Sequence, residues 1–115
     1  YFPMLFADPE AAAGHVARIF GEAELSWPHA AYSNQEAATF DARDVLPEIP
    51  VRSLVMAGRH DMIPPEGVKP LGDGLPNATW MVFENSGHFA PVEEPALFEA
   101  AVFDFLGVGD AAQEP

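Results

Sequence analysis

The chain has 115 residues, 49% of them apolar, and sets 18 acidic side chains against five basic ones for a formal net charge of −13. At roughly 150 residues per domain this is one small domain or a piece of a larger one, and nine Phe and two Trp give too much apolar bulk for intrinsic disorder. Its bases, Arg18, Arg43, Arg52, Arg59 and Lys69, are scattered, which excludes nucleic acid and anionic membrane surfaces as partners, since both require clustered cations.

The N-terminal half carries helical signals and no strand pattern. Asp8 followed by Pro9 is a start signal and Gly21 a stop, with Val16, Ile19 and Phe20 forming the apolar face between them. Residues 22–46 are expected to be loop and short helix, with Ser26-Trp27-Pro28 as a break and Gln35–Phe40 helical. The pattern changes near Pro47–Pro50. Val51–Ala57, flanked by Pro50 and Gly58, has the short apolar character of a buried strand, and Ala78–Glu84 is a second such run, stopped by Asn85-Ser86-Gly87. Between the two runs lie Pro64, Pro65, Gly67, Pro70, Gly72 and Gly74, a poor environment for a long helix. Pro95 then opens a final helix with Leu97, Phe98, Ala101, Val102, Phe105 and Leu106 along one stripe, and Gly107 closes it.

Near-continuous apolar strands suit a parallel sheet covered on both faces, so the second half is expected to be a β-α-β-α unit with a right-handed crossover. Two parallel strands leave their outer edges unpaired. That, with a first residue of Tyr1, leads to the expectation that the sequence is part of something longer. The expected division is a helical segment at 1–46, the β-α-β-α unit at 47–107 and a flexible tail at 108–115. No apolar run approaches the roughly 18 residues of a spanning helix, the first residues lack the basic character of a signal's n-region, and no cysteine is available for disulfides or thiolate ligands. The expectation is a soluble chain, cytoplasmic in preference, without cofactor or metal.

Reactive groups of open parallel sheets sit beyond the carboxyl ends of the strands. The first run ends at Gly58-Arg59-His60-Asp61 and the second at Asn85-Ser86-Gly87-His88-Phe89, so a carboxylate and an imidazole leave adjacent strand ends. An Asp that accepts from one ring nitrogen fixes the tautomer and frees the other nitrogen to take a proton. Asp61 and His88 are therefore the candidate catalytic pair, with Trp27 and Tyr32 as candidate substrate-binding residues. His60 is expected to be structural or solvent-facing. A zinc site from His60, Asp61 and His88 is disfavoured because adjacent His and Asp side chains diverge.

A strand ending in Gly-x-x-Asp, a strand ending in Ser-Gly-His, then Glu93-Glu94-Pro95 and an amphipathic last helix resemble the C-terminal part of the α/β-hydrolase fold, closest in flavour to proline iminopeptidase-like serine hydrolases. The matching runs are Ile49–Asp61 and Ser86–Pro91, within residues 40–107. The resemblance implies Asp61 as triad acid, His88 as triad base and residues 1–46 as the tail of a cap. It also implies cleavage of a small amide or ester, with an N-terminal proline peptide as one substrate and Glu22, Glu24 and Glu36 available to its amine. The family's nucleophile stands on a Gly-x-Ser-x-Gly elbow, and none of Ser26, Ser33, Ser53 and Ser86 is framed that way. The expectation is thus the acid–base half of a serine hydrolase, working with an N-terminal portion that brings the nucleophile. The alternatives are an epoxide hydrolase, dehalogenase or carbon–carbon bond hydrolase, and a non-catalytic module binding a ligand or protein on a degenerate hydrolase fold.

Overall fold

A computed structural model describes residues 2–24 and 26–108. A 3-10 turn at Phe2–Leu5 precedes α1 (Ala12–Phe20) and α2 (Trp27–Ala37). A second 3-10 turn at Leu46–Glu48 leads into β1 (Ser53–Gly58), α3 (Pro65–Gly74), β2 (Ala78–Phe83), α4 (Ala90–Glu93) and α5 (Pro95–Leu106). The tail expected from 108 onward lies, beyond Val108, outside the described residues.

The two strands pair in parallel, in register from Ser53 opposite Ala78 to Gly58 opposite Phe83. Side chains alternate faces along a strand, and the helices use both faces. Trp80 meets α3, with Lys69 Nζ 5.8 Å from its ring centre. Phe83, three residues on, packs at 6.1 Å against Phe98 of α5. Farther along α5 the Arg52 guanidinium lies 4.5 Å from the centre of the Phe105 ring. Val55, Ala57 and the fully buried Phe83 form the centre of this unit. β1 begins two residues later than its apolar run because pairing starts where Ser53 N–H donates to Asn77 O, at 3.0 Å.

The crossover departs from expectation, because α3 is a helix of ten residues with Pro70 inside it. Pro65 at its first turn needs no hydrogen bond there, and Pro70 removes one internal bond. Packing offsets the weak propensity of the glycines. A Cβ on Gly72 would lie 3.2 Å from Trp80 Cε3, and one on Gly74 would meet the Leu46 side chain at 3.0 Å or closer. The small residues that lower helix propensity are thus the ones that let α3 lie close to the sheet.

Ser26-Trp27-Pro28 is likewise the start of α2 and not a break, with Ser26 extended at the N-cap and Pro28 in the first turn; the helix stops at Ala37, short of Phe40. Before α1, Asp8 Oδ1 accepts from Glu10 N–H at 2.9 Å and Ala11 N–H at 3.2 Å, so it initiates the helix through one preceding turn. Val16, Ile19 and Phe20 of α1 pack with Phe89 against Leu5, Phe6 and Ala12. This second cluster carries the N-terminal segment onto the loop after β2. Gly107 ends α5 with φ +71°, and Val108 N–H reaches Phe103 O at 3.0 Å, a left-handed closure that glycine accommodates without a Cβ clash. No helix among the described residues is long and apolar enough to cross a membrane.

Candidate active site

Both strands deliver their next residues to one edge of the sheet, and the ladder continues into the loops. Arg59 N–H donates to Phe83 O at 2.9 Å and His60 N–H to Ser86 O at 3.0 Å. Gly58 and Gly87 meet backbone to backbone here: a Cβ on Gly58 would lie 2.7 Å from Ser86 O and closer still to Gly87 O. The loop after β1 then turns on Asp61. Its Oδ1 accepts from Ile63 N–H at 3.1 Å, which leaves Oδ2 to face the loop after β2.

Asp61 Oδ2 lies 2.9 Å from His88 Nδ1. A carboxylate only accepts, so Nδ1 carries the proton and Nε2 holds the lone pair. The Asp61 side chain is 11% exposed and that of His88 45%, and Nε2 has no hydrogen-bond partner among the described residues. The imidazole thus has one nitrogen anchored to a nearly buried acid and the other open. Its edge-on neighbour is Phe89, at 5.2 Å and 82°, and its backbone N–H donates to Leu5 O at 2.6 Å. A hollow of about 280 Å³ adjoins the pair, walled mainly by apolar side chains that include Ile63, Val68, Phe83 and Phe98.

The other candidate residues lie elsewhere. His60 turns away from Asp61 and lines a different hollow with His15 and Asp8. No group of three or more His, Asp or Glu side chains among the described residues could hold a metal ion. Trp27 and Tyr32 are 73% and 62% exposed on α2, a helix that buries no residue, and neither lines the hollow beside the pair or the one beside His60. No serine among the described residues hydrogen-bonds His88: Ser33 is near His29 at 3.4 Å, Ser53 donates to Val51 O, and the fully buried Ser86 donates to Glu94 Oε2 at 2.6 Å.

That last bond belongs to a feature the sequence reading missed. Glu94 Oε2 also accepts from Asn85 N–H at 3.1 Å, and Glu93 accepts from Gly87 N–H at 2.8 Å and Ala7 N–H at 2.6 Å. Two consecutive acids ahead of a helix-opening proline are a visible signal, but local convention would have aimed them at their own helix. Ion pairing is otherwise peripheral. Arg59 grips Glu84 through two 2.8 Å bonds and holds its carboxyl below the usual glutamate range. Arg43 likewise lowers the exposed Asp41 to about 2.

No protein-family model matches the chain. Over 71 residues, 62% of its length, it is 34% identical to a proline iminopeptidase of Levilactobacillus brevis, of which the match covers 24%. An α/β-fold hydrolase of Bacillus anthracis superposes on 89% of the chain with a TM-score of 0.76 and 27% identity, over 37% of its own chain. An esterase of Exiguobacterium antarcticum superposes on 90% with a TM-score of 0.68 and 26% identity, over 39% of its own chain. The chain spans about a quarter of the length of the curated relatives it matches. With a parallel strand pair covered by helices on both faces, these likenesses make the chain the C-terminal region of an α/β-hydrolase fold.

Proposed function

We propose that this chain supplies the acid and base of a serine hydrolase that cleaves a small ester or amide, the nucleophile and oxyanion donors coming from an N-terminal portion outside the 115 residues. The observation that carries this reading is the 2.9 Å bond from His88 Nδ1 to the nearly buried Asp61, with Nε2 left open. In that role Nε2 takes the proton of the serine hydroxyl as its oxygen attacks the carbonyl carbon, and Asp61 stabilises the imidazolium. As the tetrahedral intermediate collapses, the leaving group departs with the proton from Nε2. Water then repeats the sequence at the acyl-enzyme and regenerates the serine.

The peptidase and esterase among the similar proteins support acyl transfer to water as the reaction class. The finer assignment, an N-terminal proline amide, rests on the iminopeptidase likeness alone. Trp27 and Tyr32, both exposed, are the cap-side aromatic contacts for substrate in this reading. The test is a serine-directed fluorophosphonate label on the purified protein, read by native mass spectrometry. Labelling on a serine outside this chain, abolished by His88→Ala, is the expected result. Absence of label, or turnover that survives His88→Ala, overturns the proposal.

A further inference from the structure

Four consecutive residues ending at His88 are each held from behind by a hydrogen bond that does not come from the sheet. Glu94 takes Asn85 N–H and the Ser86 hydroxyl, Glu93 takes Gly87 N–H, and Leu5 O takes His88 N–H. Glu93 does more than hold the loop. Its second oxygen accepts from Ala7 N–H, 86 residues away in sequence, and Ala7 is two residues from the Leu5 carbonyl that holds His88. One carboxylate therefore closes a ring running from Glu93 to Gly87, through His88 to Leu5, and along the chain to Ala7. Hydrogen bonds to an ionised acceptor are roughly twice as strong as neutral ones, so this ring is stiffer than a backbone turn.

Position makes the arrangement unusual. Glu94 stands at the N-cap of α5 yet makes no side-chain bond to its own helix; its carboxylate turns back to the loop. Both acids forgo the local helix in favour of the segment bearing the imidazole.

We propose that Glu93, seconded by Glu94, is a positioning residue for His88, holding the backbone of loop 85–88 and the Leu5–Ala7 segment together so that Nδ1 meets Asp61. The proposal rests on the hydrolase reading only for its effect on turnover. The ring geometry itself has a readout that does not need the reaction.

The experiment uses Glu93→Ala, Glu93→Gln and Glu94→Gln, with Glu99→Gln as a charge control, in the protein that carries both this chain and its nucleophile. The first readout is the low-field proton resonance of His88 Nδ1–H, assigned by its loss in Asp61→Asn. In Glu93→Ala it is expected to broaden or vanish at a temperature where circular dichroism matches the wild type, while Glu99→Gln retains it. The second is kinetic: kcat falls about 10²-fold, the scale of an ångström-level misplacement, with KM unchanged. Should Glu93→Ala not fold, Glu93→Gln and Glu94→Gln are read in its place; each keeps one acceptor oxygen, so a weakened resonance and a smaller fall in kcat are expected. Retention of the resonance in every folded glutamate variant, or an equal loss in Glu99→Gln, overturns the proposal. So does a fall in melting temperature alone. If the wild type takes no serine label, the hydrolase reading falls while the resonance still decides the role of Glu93.

Discussion

Adding one methyl group to a glycine has opposite consequences at two positions in this chain. A Cβ on Gly58 would lie 2.7 Å from Ser86 O and 2.8 Å from Gly87 C. Gly87 O stands closer still, and ordinary van der Waals contact begins near 3.4 Å, so the loop after β2 must retreat by more than about an ångström, and the atoms in the way are backbone. Overpacking of this kind costs about 1–3 kcal/mol. The retreat also stretches the 2.9 Å bond between Asp61 and His88, because His88 rides on the loop that moves. On Gly14 of α1 a Cβ would meet nothing within 4 Å, and alanine in a helix interior is favoured over glycine by about 1 kcal/mol. Urea unfolding of the two variants measures both. Gly58→Ala is expected to lower the midpoint and weaken the His88 Nδ1 proton resonance, and Gly14→Ala to raise the midpoint with the resonance unchanged. A Gly58→Ala variant as stable as the wild type with an intact resonance would refute the claim that the two loops are in backbone contact.

Three further outcomes are expected. Asp61→Asn keeps the shape of the pair but removes its charge, and turnover of an ester substrate falls by about 10³–10⁴-fold with little change in the unfolding midpoint. Phe83→Ala empties a fully buried site packed on Phe98 and costs about 3–5 kcal/mol, measured by denaturant unfolding. Glu84 is held below the usual glutamate range first by its hydrogen bond to Arg59, so a carbon-detected NMR titration finds it ionising at lower pH than an unpaired glutamate. Its stabilising contribution is present above the unfolded-state value and is lost as pH falls through the lower folded value; Arg59→Met returns the titration to the ordinary range.

Elements that obey one local rule were legible in advance. β1 and β2 are short apolar runs bounded by turn residues, and α5 combines an opening Pro95, an apolar stripe and a closing Gly107. The juxtaposition of Asp61 with His88 was legible too, because strand ends of a parallel pair are neighbours whatever lies between them. α3 was not. Its prolines and glycines argue against helix when weighed residue by residue, and only the contacts of Gly72 with Trp80 and of Gly74 with Leu46 reverse the balance. α2 was misjudged at Pro28 because a proline that breaks a helix interior is harmless in its first turn. The tethers from Glu93 and Glu94 escaped for a different reason. Their partners are backbone N–H groups, which every residue but proline carries, so no residue type marks them.

The sheet ladder runs past the strands into both loops, through Arg59 with Phe83 and His60 with Ser86. The spacing of Asp61 and His88 is therefore inherited from strand register and not from the crossover that joins them in sequence. An insertion in the turn after α3 can be absorbed at the surface without moving either side chain, whereas the turn before it carries the Ile63 N–H that holds Asp61. A single residue added between Gly58 and Asp61, or between Phe83 and His88, shifts one partner by about 3.3 Å, the rise of one strand residue, and separates the pair. Constant length is therefore expected to matter most in two stretches of only a few residues each, the ones that carry the chain from strand end to Asp61 and to His88.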